Sequence, residues 1–336
     1  MGSELSRVNK YGYKKGVAWG TPVDMAAGDL FYPQSISGLD LKLKVTPDVG
    51  KGQGFETAAY VGGNDALSIS FDTIMYQDGG AALLLLAQLF GTDVVTGATD
   101  PFSHTMTAEA TSGKFGTLTF EEGSEVKTIP SAMPTGIKIA PNGDGIMVAS
   151  VSMTGNTASI ANASAISSGT YPSGEAVSPF LLSGVTLRMN TQSGDALDSG
   201  DDLTITDLEV NLQRPVTTTV VNGATAISQP KEGGYPEFSI SFRIPAKDSL
   251  AVALYAAYIA GTRQKATLTL AGTAADHELA FSFPQITLDL VENPHDDVIS
   301  TRVTGRIQRA LTAPTGMTGI TYPTAAWKHV TAATVL

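Results

Sequence analysis

Four histidines are the residues best suited to chemistry at neutral pH in this chain: His104, His277, His295 and His329. An imidazole titrates near neutrality and ligates metals, so a close pair would point to a general base or a zinc site. These four are scattered, and no two have the spacing of H-E-x-x-H. No G-x-S-x-G, Walker A or G-x-G-x-x-G stretch is present, and the absence of cysteine removes thiolate chemistry and disulfides. Carboxylates are more plentiful. Asp195–Asp202 (DALDSGDD) and His295-Asp296-Asp297 offer the oxygen ligands that calcium favours. The first does not follow the EF-hand spacing and reads as a solvated acidic loop, as does Glu121-Glu122-Gly123-Ser124-Glu125. Trp19 and Trp327 read as packing residues near the two ends. The expectation is a non-enzyme: no catalytic residue, no metal site and no cofactor.

The 336 residues are 42% apolar and 16% charged, with mean hydropathy +0.07, which fits a folded chain long enough for two domains. Abundant Gly, Thr, Ser, Ala and Val in short alternating runs favour β structure. The formal charge is −11, shared as −6 in residues 1–165 and −5 in 166–336. With no basic tail or patch, tight binding to nucleic-acid phosphates is not expected. The segment MGSELSRVNKYGYKKG has no apolar core and is not a Sec signal. The most apolar run, Ala81–Phe90, has about half the roughly 20 residues of a membrane span. A soluble protein made in a cytoplasm is expected.

One stretch occurs twice. Ser68–Phe71 and Ser239–Phe242 both read SISF, and each leads through an Asp and an apolar run to Gly-Thr. From Asp78 to Gly91-Thr92 and from Asp248 to Gly261-Thr262 the copies align without a gap. Asp is a good helix N-cap and Gly the usual residue past a helix end, so each half should carry a helix of roughly a dozen residues. Upstream, Leu39–Pro47 and Leu208–Pro215 alternate apolar and polar and end in Pro, as strands do. Downstream, Pro134–Gly155 aligns onto Pro284–Gly305 with matching turns. The first copy carries roughly 20 extra residues between its helix and Pro134. A period this long is a duplicated domain, not a solenoid. The reading is residues 1–160, a Ser/Ala/Gly-rich linker at 161–178, residues 179–310, and a C-terminal extension at 311–336.

Both helices are apolar all round. Leu83, Leu85, Leu86, Leu89 and Phe90 in the first, and Leu250, Leu254 and Tyr258 in the second, are therefore core or subunit-interface residues. A core position, a neighbouring subunit or insertion into a membrane would each cover such a helix.

With strand, apolar helix and strands doubled, the chain resembles the tail tube (major tail) proteins of long-tailed bacteriophages. Gly16–Val23 (GVAWGTPV) looks like that family's opening segment, and Leu83–Thr92 (LLLLAQLFGT) like its helix ending in Gly. The resemblance covers residues 10–310. It implies a mainly β fold: two tandem copies of a β-sandwich that joins into a barrel across subunits, each with one flanking helix. It also implies stacked rings forming a hollow virion tail, assembled in the bacterial cytoplasm. Its partners would be itself, other tail proteins and DNA passing without tight binding, with no membrane. A duplicated chain would close the ring as a trimer, a pseudo-hexamer. Asp40 and Glu209 are the expected lumen-facing acids. A surface adhesin or pilus-like subunit of two β-sandwiches is the alternative.

Overall fold

Strict alternation places the SISF stretches on strands: Ile69, Phe71, Ile240 and Phe242 are buried, while their serines point outward. The computed structural model describes residues 10–26, 29–31, 33–37, 45–48, 58–61, 66–77, 79–97, 99, 101–108, 114–122, 125–156, 159–161, 178–219, 227–245, 249–273, 277–292, 300–329 and 336. The first half runs β1 (Lys10–Lys15), β2 (Leu30–Phe31), β3 (Pro33–Ser37), β4 (Val45–Asp48), β5 (Ala58–Val61) and β6 (Leu67–Ile74). Helix α1 (Gly80–Phe90) follows, then β7 (Val94–Thr96), β8 (Phe102–Thr107), β9 (Gly116–Glu122), β10 (Glu125–Pro141), β11 (Met147–Gly155) and β12 (Ser159–Ala161). The second half runs β13 (Val185–Thr191), β14 (Asp202–Leu203), β15 (Asp207–Gln213), β16 (Val216–Thr217), β17 (Lys231–Glu232) and β18 (Glu237–Pro245). Helix α2 (Ser249–Ile259), β19 (Gln264–Ala271), β20 (Glu278–Glu292) and β21 (Ser300–Gln308) complete it, and β22 (Thr324–His329) lies in the C-terminal segment. The fold is mainly β, and all its described ladders are antiparallel.

Two long strands organise the sheets. The N-terminal part of β10 pairs with β9 and β12, and its C-terminal part pairs with β11 and β15. Irregularities at Ile129/Ala132 and Pro134/Gly136 let one strand serve both sheets. Strand β20 does the same: β19 and β22 flank its beginning and β21 its end, with an irregularity at Leu288/Leu290. One sheet therefore reads β3-β6-β11-β10-β15-β18-β21-β20, with four strands from each half. The other face of the core is built by β2-β1-β9 in the first half and β14-β13-β19 in the second.

Between α1 and β9 lie 25 residues (91–115), and between α2 and β19 only four (260–263). The extra length expected from the sequence is the β7-β8 hairpin. It does not stay in its own half: β8 pairs with β22, which pairs with β20. The C-terminal extension is thus a strand that stitches the halves together. Two details of the repeat are corrected. The described N-cap of α1 is Gly79, with no side-chain hydrogen bond; Asp78 and Asp248 lie outside the described residues. The gapless match of β11 to β21 is out of register by two residues. Phe71 faces Val151 and Phe242 faces Val303, where the match would have put Thr301. From those rungs the second hairpin is two residues shorter (Ile137 opposite Val151, Val291 opposite Val303). A slip of two keeps each side chain on its face, so the hydrophobic pattern did not betray it.

Candidate functional site

Three features of the described surface stand out: the seam where the halves join, the polar face of the eight-strand sheet, and the two helices. The seam is an ordinary antiparallel ladder, with Gly136, Ile137, Lys138 and Ile139 opposite Gln213, Leu212, Asn211 and Val210. Strand β15 is the first strand of the second half's share of the sheet, and β10 is the last of the first half's. At the two ends of the sheet no described ladder forms on the outer side of β3, or on residues 287–292 of β20 opposite β21. No described ladder returns from β20 to β3.

Alternation along these strands gives the sheet one apolar and one polar face. Serines and threonines dominate the polar side: Ser68, Ser70, Ser150, Ser152, Thr154, Ser239, Ser241 and Thr304. Its described acids are Asp72, Asp207, Glu209, Glu237, Asp289 and Glu292, against Lys138, Arg243, Arg302 and Arg306. The face is therefore near neutral, with two more acids than bases. Glu209 is on it, about 42% exposed and 2.7 Å from Lys138 Nζ across the seam. Arg306 Nη2 is 3.4 Å from Asp289 Oδ1. Such half-exposed pairs are worth at most about 1 kcal/mol each. Asp40 lies outside the described residues.

The helices differ. In α1, Leu83, Leu85, Leu86, Leu89 and Phe90 are all buried, and so is Gln88, whose Oε1 accepts the Tyr13 hydroxyl. Burial pushes the Tyr13 phenol up, keeping it a neutral donor. The helix packs on β10, β1, β2 and β8. Its last turn reaches the second half: the Phe90 ring lies 5.7 Å from Phe238 and 6.5 Å from Phe281. Arg214, just past β15, donates from Nη2 to the Phe90 carbonyl (3.2 Å) and from Nη1 to Glu232 (2.9 Å). A cation at a helix C-terminus also meets the negative end of its dipole. In α2, by contrast, Leu254 is buried and Leu250 and Tyr258 are half-buried against the core, while Val252, Tyr255 and Ile259 are 64%, 51% and 69% exposed.

The histidines carry less than their number suggested. His295 and the neighbouring Asp296 and Asp297 lie outside the described residues. His104 and His329 stack at 4.5 Å, wholly buried, and Asp93 holds His104 Nδ1 at 3.0 Å. Burial, then the neighbouring His104 and His277, lowers His329 to about 4, against a weaker upward pull from Asp93. Residues 225 apart meet because β8 pairs with β22, a contact that no local motif announces. Asp198 and Asp201 cap a short 3-10 turn reciprocally, and Asp202 pairs with Arg188 at 2.6 Å. Among the described residues no cluster of three or more His, Asp or Glu could hold a metal. Trp327 is buried against Phe180 and Trp19 sits edge-on to Phe115. No helix of the described residues is long and apolar enough to cross a membrane.

The described geometry thus offers one eight-strand sheet that runs across both halves, with a hydroxyl-rich face. No curated protein matches the chain. Residues 10–328, nearly the whole length, match the family of phage tail tube proteins, and the protein belongs to that family of structural virion components.

Proposed function

We propose that this chain closes into trimeric rings that stack into the hollow tail tube through which phage DNA passes, each chain supplying two tandem copies of one unit. The observation that carries the reading is the seam. Each half contributes four strands in the same order, and the last strand of the first half is extended by the first strand of the second. The same joint, made between β20 of one chain and β3 of the next, is a heterologous contact, and such contacts close into rings. The duplicated units are residues 1–160 and 179–310, linked by 161–178, with 311–336 appended.

Eight strands per chain give 24 in a trimer. At about 4.8 Å between strands and a tilt of roughly 35–45°, a 24-strand barrel measures roughly 45–52 Å across its backbone. That passes a nucleic-acid duplex with side chains in place. The polar face lines the channel in this reading, with Glu209 among the lining acids. Hydroxyls and paired charges give phosphates little to hold, because strong nucleic-acid binding needs unpaired Lys and Arg. The tube assembles with other tail proteins, in the host cytoplasm, without a membrane. Electron microscopy of the purified protein tests this: threefold rings or stacked tubes are expected. Isolated monomers, or rings with a channel too narrow for a duplex, overturn it.

A further inference from the structure

We infer that the bare stripe of α2 is a self-interface, which docks on the first half of the next copy as the last turn of α1 docks on the second half within the chain. The inference rests on the ring reading and assigns to it a contact separate from the sheet edge. The stripe consists of Val252, Tyr255 and Ile259, with Ala253, Ala256 and Ala260 beside them, all exposed. Spacings of three, four and seven put them on one helical face. Every side chain on that face is apolar, which is unusual for a surface left in water.

The chain itself shows what covers such a face. Counting from the aligned Gly-Thr ends, the α1 counterparts of Val252, Tyr255 and Ile259 are Ala82, Leu85 and Leu89, all buried. The turn that ends α1 is gripped from the second half by Phe238, Phe281 and Arg214. The equivalent stripe of α2 is left exposed, and the hairpin β7-β8, whose β8 packs on α1, has no counterpart between α2 and β19. In the ring the first half of the next copy stands to α2 as the second half stands to α1, so the occupant is a second copy, presenting its first half. Position points to the contact: Phe238 immediately precedes the second SISF, and Leu67 immediately precedes the first. Helix α2 also packs on β20, the strand whose last residues form no described ladder on the side away from β21 and supply the proposed sheet joint.

Two measurements test it on the full chain. A photo-crosslinking residue at Ile259 in assembled protein should capture a peptide containing Leu67 from another copy. Ile259→Glu should leave the monomer folded, with unchanged circular dichroism and thermal midpoint, but shift ring assembly to at least tenfold higher protein concentration by light scattering. Rings of Ile259→Glu at the normal concentration, or capture of the second half of a neighbour, overturn the inference while leaving the ring reading intact. A wild-type chain that stays monomeric at high concentration overturns both.

Discussion

Phe90 is the hinge pin between the halves, and removing it should couple to their other contacts. The ring is fully buried and lies against Phe238 and Phe281 of the second half. Phe90→Ala removes its apolar contacts and leaves a cavity, a change that costs about 3–5 kcal/mol in a core that cannot collapse. Collapse is restricted here because Arg214 holds the carbonyl of the same residue. Roughly 0.5–1.5 kcal/mol of the loss belongs to each aromatic pair beyond the buried area. The double mutant Phe90→Ala/Phe238→Ala should therefore lose less than the sum of the singles, by about 1 kcal/mol or more. Urea unfolding at a protein concentration where the chain is monomeric supplies the three stabilities, with the slope checked for two-state behaviour. Additivity within about 0.3 kcal/mol, or a single-mutant loss below about 1 kcal/mol, would refute the reasoning that α1 is clamped across the seam.

Two further outcomes are expected. Arg214→Met keeps the apolar stem but leaves the Phe90 carbonyl without its donor. It should cost about 1–3 kcal/mol in chemical denaturation, and Lys should not restore it because one ammonium cannot match the two-pronged guanidinium. His329 makes stability acid-sensitive: its folded pKa of about 4 lies below the ordinary 6.5, so the unfolded chain binds the proton first. Stability is then full above pH 6.5 and falls as the pH drops toward 4, by up to about 3 kcal/mol. Thermal midpoints across that range should show the slope, and His329→Gln should flatten it; an unchanged slope would exclude this histidine as the cause.

Much of the fold was legible along the chain. Period-two alternation in LSISF and FSISF sets strands, and their inward Ile and Phe set the core. Gly91 is readable as a helix stop because its φ of 98° suits only a residue without a side chain, and it holds that place in the structure. The surplus before Pro134 is readable as an insertion. The start of α1 was not: an aspartate was the natural N-cap, yet Gly79 occupies the position. The histidine stack, the clamp of Arg214 on Phe90 and the Lys138–Glu209 pair were invisible for one reason. Each joins elements distant in the chain, and local patterns carry no record of which elements meet.

What the sequence determined by itself is which residues are apolar, in what period, and that the device occurs twice. Local sterics and the separation of oil from water suffice for that. What the tertiary structure alone decided is the fate of the two helices. Their sequences are equally apolar, but α1 is buried and α2 bears an exposed stripe. The difference lies outside either helix. Strands β10, β1, β2 and β8 pack on α1 and the second half holds its last turn, whereas the hairpin that carries β8 has no counterpart between α2 and β19, and burial depends on what stands opposite.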